Sequence, residues 1–182
     1  MAAAESVSPS SPGASVSVGA GAGGAASGGA GAGDPVGIIR IDHVGIAVAD
    51  LDDAIAFYAR VFGMTCVHVE ENVEQGVREA MLQVGTAPDG GRLQLLAPLT
   101  PESTIAKFLD RNGPGIQQLA YTVTDIDATS AALRSRGVRL LYDSPRRGTA
   151  GSRVNFVHPK DAGGVLVELV EPGTEEPAER QR

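Results

Sequence analysis

From Ile41 to Val48 apolar side chains fall on alternate residues (IDHVGIAV), and from Ile116 to Val123 a similar stretch recurs (IQQLAYTV). A period of two predicts a strand whose two faces differ in character. Each strand runs into an Asp-rich turn, where Asp50 or Asp125 is placed to cap a helix. Leu51, Ile55, Tyr58 and Phe62 then recur at helical spacing and predict a helix over 51–62, while an Ala-rich stretch predicts a weaker one over 126–136. Three strands are expected after each helix, near 65–70, 77–84 and 92–96 in the first half and near 139–142, 153–157 and 165–170 in the second. Both halves therefore read β-α-β-β-β.

The two halves also match residue for residue. IDHVGIAVADLDDA from Ile41 aligns with IQQLAYTVTDIDAT from Ile116, pairing Asp50 with Asp125 and Asp52 with Asp127, and LQLLAP from Leu93 aligns with VELVEP from Val167. A repeat this long is a duplicated supersecondary module rather than a solenoid unit. The fold class is α+β, with modules of about 36–100 and 112–172.

Alternation assigns the polar residues to faces. Val44, Ile46 and Val48 share a bulky face suited to packing on the helix, while His43 shares the other with Gly45 and Ala47. Gln117 and Gln118 are expected on opposite faces, with Gln118 beside Ala120 and Thr122. A face of small residues does not fill itself and leaves room for a cleft. Gln94 and Glu168 occupy equivalent positions among apolar neighbours in the last strands, so His43, Gln94, Gln118 and Glu168 form two pairs related by the duplication. One imidazole, two amide oxygens and a carboxylate suit a divalent metal with positions open to water or substrate. The plainer alternatives are a hydrogen-bonded core histidine, a buried Glu168–arginine pair, and Gln94 and Gln118 bonded to each other.

Composition narrows the setting. The 182 residues are 42% hydrophobic and contain no run long enough to cross a membrane, which points to one or two soluble units and a cytoplasmic location. A single cysteine, Cys66, excludes an internal disulfide and reads as a small core residue. A net charge of -7 argues against a nucleic-acid partner. Residues 1–35 are so rich in Gly, Ala and Ser that disorder is expected. The first basic residue is Arg40, so this head carries neither a charged secretory n-region nor an Arg-rich transit pattern. Residues 173–182 read as a polar tail, leaving 36–172 as the folded domain.

The duplicated plan, with DHVGIAV opening one half and GGVLVELVEP closing the other, resembles the vicinal oxygen chelate (glyoxalase) superfamily. Within it, EEN-x-EQGV-x-EAML (Glu70 to Leu82), LAPLTPESTIAKFL (Leu96 to Leu109) and GSRVNFVHPKDAGGVLVELVE (Gly151 to Glu171) are similar to the methylmalonyl-CoA epimerase family. The resemblance implies a curved mixed sheet around a metal-binding cleft, a homodimer, and one divalent ion per subunit, cobalt ahead of manganese, zinc, nickel or magnesium. It also implies an acyl-CoA substrate and interconversion of (2R)- and (2S)-methylmalonyl-CoA through a metal-stabilised enolate. His43, Gln94 and Glu168 match the family's metal ligands, and Glu79 its acid/base glutamate. Gln118 departs from the pattern: the family motif reads GIHHIAF, with the second histidine as ligand, and an amide is a weaker, uncharged donor.

Epimerisation needs a second acid/base as well as Glu79, and Glu168 serves if it binds the ion through one oxygen only. Arg146, Arg147, Arg153 and Lys160, with Gly148, Gly151 and Ser152 in a loop, are candidates for the substrate carboxylate or CoA phosphates. His68 reads as a surface residue and His158 as turn packing or a substrate contact. A glyoxalase-like lyase would prefer a carboxylate at Gln94, and a ring-cleaving dioxygenase needs two histidines and a carboxylate on iron. A metal-free binding protein would have no use for this set.

Overall fold

The computed structural model describes residues 36–87 and 90–173. The expected disorder of 1–35 and nearly all of the polar tail fall outside the described residues. The elements run β1 (Ile38–Ala47), α1 (Leu51–Phe62), β2 (Thr65–Asn72), β3 (Val77–Gln83), β4 (Arg92–Pro98), α2 (Thr104–Asn112), β5 (Gly115–Val123), α3 (Ile126–Ser135), β6 (Arg146–Arg147), β7 (Arg153–Val157) and β8 (Leu166–Glu171). Short 3-10 turns cover Thr149–Gly151 and Pro159–Asp161.

The strands form one mixed sheet, curled into a half-barrel, in the order β2-β3-β4-β1-β5-β8-β7-β6. The first strands of the two modules, β1 and β5, pair antiparallel at its centre, and each is flanked by the last strand of its own module in parallel, β4 and β8 respectively. The duplication is thus an edge-to-edge joining that brings the four candidate ligand strands together.

Helix α1 has the expected bounds because both ends are specified locally. The Asp50 carboxylate accepts the Asp53 N–H at 2.9 Å, and Gly63, with φ 66°, turns the chain so that its N–H caps the Ala59 carbonyl at 3.0 Å. Asp125 caps α3 in the same way through the Ala128 N–H, also at 2.9 Å. On the helix-facing side, Val48, Leu51, Ala80, Leu82, Leu95 and Ala97 form a buried core with Ile55 and Tyr58 of α1 packed on it. The second module repeats this with Val123, Ile126, Val157 and Leu169 under Leu133 of α3. Each fully buried leucine contributes about 2 kcal/mol by leaving water. Cys66 is half-buried against the first core.

Two departures have local causes. The stretch 139–142 is not a strand: Leu140 makes one isolated bridge to Val157, and the edge strand is instead Arg146–Arg147. Buried Asn155 bonds the Tyr142 backbone through its side chain, accepting its N–H at 3.3 Å and donating to its carbonyl at 3.0 Å. Arg134 takes the carbonyls of Tyr142 and Asp143. Those groups are therefore satisfied without a ladder. The second departure is α2, capped by buried Ser103, which accepts the Ala106 N–H at 3.1 Å, and closed at Gly113. Its Ile105 packs with Ala47, Val77 and Leu96 on the concave side of the sheet.

Candidate active site and metal centre

Strand register assembles the centre. Gly45 of β1 lies opposite Gln94 on β4 and opposite Gln118 on β5, while Ala120 of β5 lies opposite His43 on β1 and Glu168 on β8. Each small residue thus separates two of the four candidate ligands along a row of the sheet. At Gly45 the need is steric, because a Cβ there would lie 2.5 Å from Gln118 Cγ. The small-residue face exists to make room for these side chains.

The four side chains are buried and meet around one point. Nε2 of Gln118 donates to Glu168 Oε2 at 2.6 Å and to Gln94 Oε1 at 3.1 Å, and lies 3.5 Å from His43 Nε2. His43 Nε2 is itself 3.1 Å from Glu168 Oε2. Three groups able to bind a cation therefore converge on an amide NH2, the electropositive end of Gln118, and turning that amide over would present Oε1 there instead. The donor set fits a divalent ion. It contains two glutamines, and among the described residues no three His, Cys, Asp or Glu side chains gather as a metal-binding group.

Behind His43 stands a residue that the alternation concealed. Asp42 is buried, accepts from His43 Nδ1 at 3.0 Å and takes the Thr122 hydroxyl at 2.6 Å. Burial opposes its charge, but the hydrogen bonds with His43 and Thr122 outweigh it and hold the carboxyl down at about 2. Burial also opposes a charge on His43, yet its hydrogen bonds to Asp42 and Glu168 prevail and raise it to about 9. Without an ion, His43 is an imidazolium bridging two carboxylates.

Glu79, only 3% exposed, adjoins this cluster. Its Oε2 accepts Gln94 Nε2 at 2.9 Å and its Oε1 accepts the Thr149 hydroxyl at 2.7 Å. Burial, with the nearby charges of Glu70 and Glu168, pushes Glu79 up to about 7 despite the hydrogen bond from Thr149. A carboxyl held near neutrality gives and takes protons with equal ease.

Two cavities flank the centre. One, of about 360 Å³, is lined by Glu79, Gln94, Gln118 and Glu168 together with Tyr142 and Arg146. The other, of about 510 Å³, is lined by Arg40, Asp42, His43, His68 and Arg92, with Glu168 again at its wall. Gln117 was expected to face away from Gln118, yet both line the first cavity. The β1–β5 register skips Gln117, and such a bulge breaks alternation.

Of the loop candidates, Arg146 lines the first cavity, stacked 5.2 Å over the Tyr142 ring and paired with Glu74, and Ser152 lines the second. Arg147 stands beside Glu70, Glu71 and Glu74 at a separate depression. Gly148 and Thr149 line the first cavity, but Gly151 lines neither. Arg153 lines neither because Asp127 and Glu171 hold it outside, at 2.7 and 3.2 Å. Lys160 also lines neither, lying in a turn where His158 accepts its N–H, which fits the turn-packing reading of His158. The sequence reading missed Asp42, Thr149 and Glu70. Glu70 had a signal, since it alternates in phase with His68 on β2 and faces Glu79 across the ladder.

A family profile described as the Glyoxalase/Bleomycin resistance protein/Dioxygenase superfamily matches residues 42–156. The crystal structure of methylmalonyl-CoA epimerase from Mycobacterium tuberculosis is 60% identical, with a TM-score of 0.72 over 75% of this chain and 90% of that one. A methylmalonyl-CoA epimerase solved in complex with methylmalonyl-CoA and NH4+ is 48% identical, with a TM-score of 0.72 over 75% of this chain and 96% of that one. The ethylmalonyl-CoA/methylmalonyl-CoA epimerase of Cereibacter sphaeroides is 39% identical over 132 residues, 71% of this chain and 96% of that protein.

Proposed function

The chain belongs to the glyoxalase/bleomycin resistance protein/dioxygenase superfamily, and from that premise we propose that it is an epimerase interconverting the (2R) and (2S) forms of methylmalonyl-CoA. The observation that carries this reading is Glu79: a buried carboxyl near neutrality, held by Gln94 and Thr149, on the wall of a cavity it shares with Gln118 and Glu168. The epimerase relatives support the same substrate, an acyl-CoA.

His43, Gln94, Gln118 and Glu168 hold the ion, Gln118 after its amide turns over. Enzymes of this superfamily typically bind a divalent metal; we propose cobalt ahead of manganese, zinc, nickel or magnesium, checked by metal analysis of the purified protein. Such an ion supplies Lewis-acid stabilisation for the negative charge developing on the thioester oxygen. Glu79 takes the C2 proton on one face of the substrate, and Glu168 returns one on the other. Glu168 serves in that role by holding the ion through one oxygen and keeping the other free for proton transfer. Arg146 faces the negative groups of the substrate. Gln117 Oε1, buried without a hydrogen bond, accepts a donor from it.

No helix among the described residues is long and apolar enough to cross a membrane. A cytoplasmic location is part of the proposal and is tested by cell fractionation. A homodimer is likewise proposed, supported by exposed Ile38, Ile39 and Ile41 of β1 and Ile116 of β5, and tested by light scattering.

The deciding experiment follows C2 proton exchange of methylmalonyl-CoA in D2O by NMR, with metal-stripped and cobalt-restored protein against a protein-free control. Exchange that requires metal and disappears in Glu79→Ala supports the reading. Restored protein no faster than the control overturns it.

A further inference from the structure

A hydrogen-bonded chain leaves Glu79 on the side away from its own cavity. Cys66, His68, Glu70 and Asn72 are the half-buried residues of β2, alternating with exposed ones. The β2–β3 ladder sets Glu70 directly opposite Glu79, where a protonated Glu79 carboxyl can donate to the Glu70 carboxylate. Glu70 Oε2 meets His68 Nε2 at 2.5 Å and accepts the Ala150 N–H at 3.1 Å. Ala150, with φ 53°, is the one non-glycine residue at positive φ among the described residues. That costly conformation coincides with two reaches from adjacent residues: the Thr149 hydroxyl to Glu79 and the Ala150 N–H to Glu70. The strand pair and the loop therefore hold the two glutamates from both sides.

The ends of this chain open into different spaces. Glu79 lines the cavity of about 360 Å³ and not the other, whereas His68 lines the cavity of about 510 Å³ and not the first. The His68 side chain is 39% exposed, but Glu79 is only 3% exposed. An acyl-CoA seated in the first cavity would shut water away from Glu79, leaving the protein side as its contact with solvent.

We propose that Glu70 and His68 are a proton relay that resets Glu79 between turnovers from water in the second cavity. The inference rests on reading Glu79 as an acid/base in epimerisation. One conversion moves a proton from C2 onto one carboxylate and a proton from the other carboxylate onto C2. The enzyme is left with its proton on the wrong group and cannot repeat the same conversion until that is reversed. For outward transfer, the Glu79 carboxyl gives its proton to the Glu70 carboxylate, which passes it to His68 Nε2. The resulting imidazolium releases a proton to water, and exchange with water restores the starting tautomer. For inward transfer each step runs backwards. Protons and charge balance throughout, and no further reactant is needed. Both residues act through Glu79, and neither lines the first cavity.

The test uses the full-length, metal-loaded protein converting one epimer of methylmalonyl-CoA, with the first turnover and the steady state measured separately. In dilute buffer, kcat of His68→Ala is expected to fall on the order of tenfold or more, with the first turnover much less affected. Added imidazole restores its kcat in a saturable way. Glu70→Gln loses kcat too, but imidazole does not restore it, because the break lies one step deeper. The relay is overturned if both variants keep the wild-type kcat in dilute buffer, or if first turnover and kcat fall together and imidazole leaves His68→Ala unchanged, the behaviour of a purely structural role. A wild-type protein that never exchanges the C2 proton overturns the epimerase reading, and the relay with it. A wild type that turns over normally beside variants without the split overturns the relay alone.

Discussion

Asp42 Oδ1 sits 3.0 Å from Nδ1 of His43, and the other oxygen of Asp42 is clamped by the Thr122 hydroxyl at 2.6 Å. The carboxylate that orients the imidazole is itself oriented, so Nε2 is fixed toward Glu168. Carboxylates in this position raise the basicity of a ligating histidine and fix its tautomer. Asp42→Ala should weaken binding of added cobalt by about 10- to 100-fold, measured by calorimetry on stripped protein. An unchanged affinity would remove Asp42 from the account.

The same pairing makes metal binding depend on pH. His43 is raised to about 9 without metal, so at neutral pH the ion must displace a proton from it. Affinity should rise with pH up to about 9, and binding should release close to one proton, read from calorimetry in buffers of different ionisation heat. Stability of the stripped protein runs the other way. The folded value lies above the ordinary 6.5, so the contribution of His43 is fully present below 6.5 and is lost as pH rises through about 9. Thermal melts of stripped protein should show that decline.

Glu79 predicts the pH profile of the reaction. The pair of acid/base groups must hold one proton between them, and Glu79, raised to about 7, holds one below that pH and loses it above. The value of kcat/KM should therefore fall above about pH 7. Both epimers should give the same profile, because the equilibrium between them does not involve protons. Thr149→Val removes a donor that lowers Glu79, so this limb should move to higher pH. A shift to lower pH would contradict the assignment.

Both modules, the capping aspartates and the four convergent side chains were legible in the sequence because each depends on local spacing or on a repeat. What escaped depends on breaks in that spacing. The β1–β5 register shifts between Ile41 and His43, so Asp42 can turn back to His43, although strict alternation assigns it to the opposite face. The skip at Gln117 has the same origin. Thr149 lies 70 residues from Glu79 and meets it only because the sheet curls, a contact no periodicity encodes. α2 carried readable signals, Ser103 before it and Gly113 after it, but had no counterpart in the repeat to point it out.

Gly45 offers the sharpest test of the centre because its role is spatial. Its φ lies outside the left-handed region, so alanine is acceptable to the backbone there. The added Cβ would nonetheless stand 2.5 Å from Cγ and 3.1 Å from Cδ of Gln118, the middle of that side chain rather than its free end. Gln118 must then swing out and give up its bonds to Gln94 and Glu168. Gly45→Ala should lower cobalt affinity and cost about 1–3 kcal/mol of stability. In the Gln118→Ala background the same substitution should cost far less stability, since the atoms it strikes are gone. That coupling is measured by a double-mutant cycle in urea. If Gly45→Ala costs as much in both backgrounds, the glycine answers to something other than Gln118. If it costs less only in the absence of Gln118, the small-residue face is explained by the side chains it makes room for.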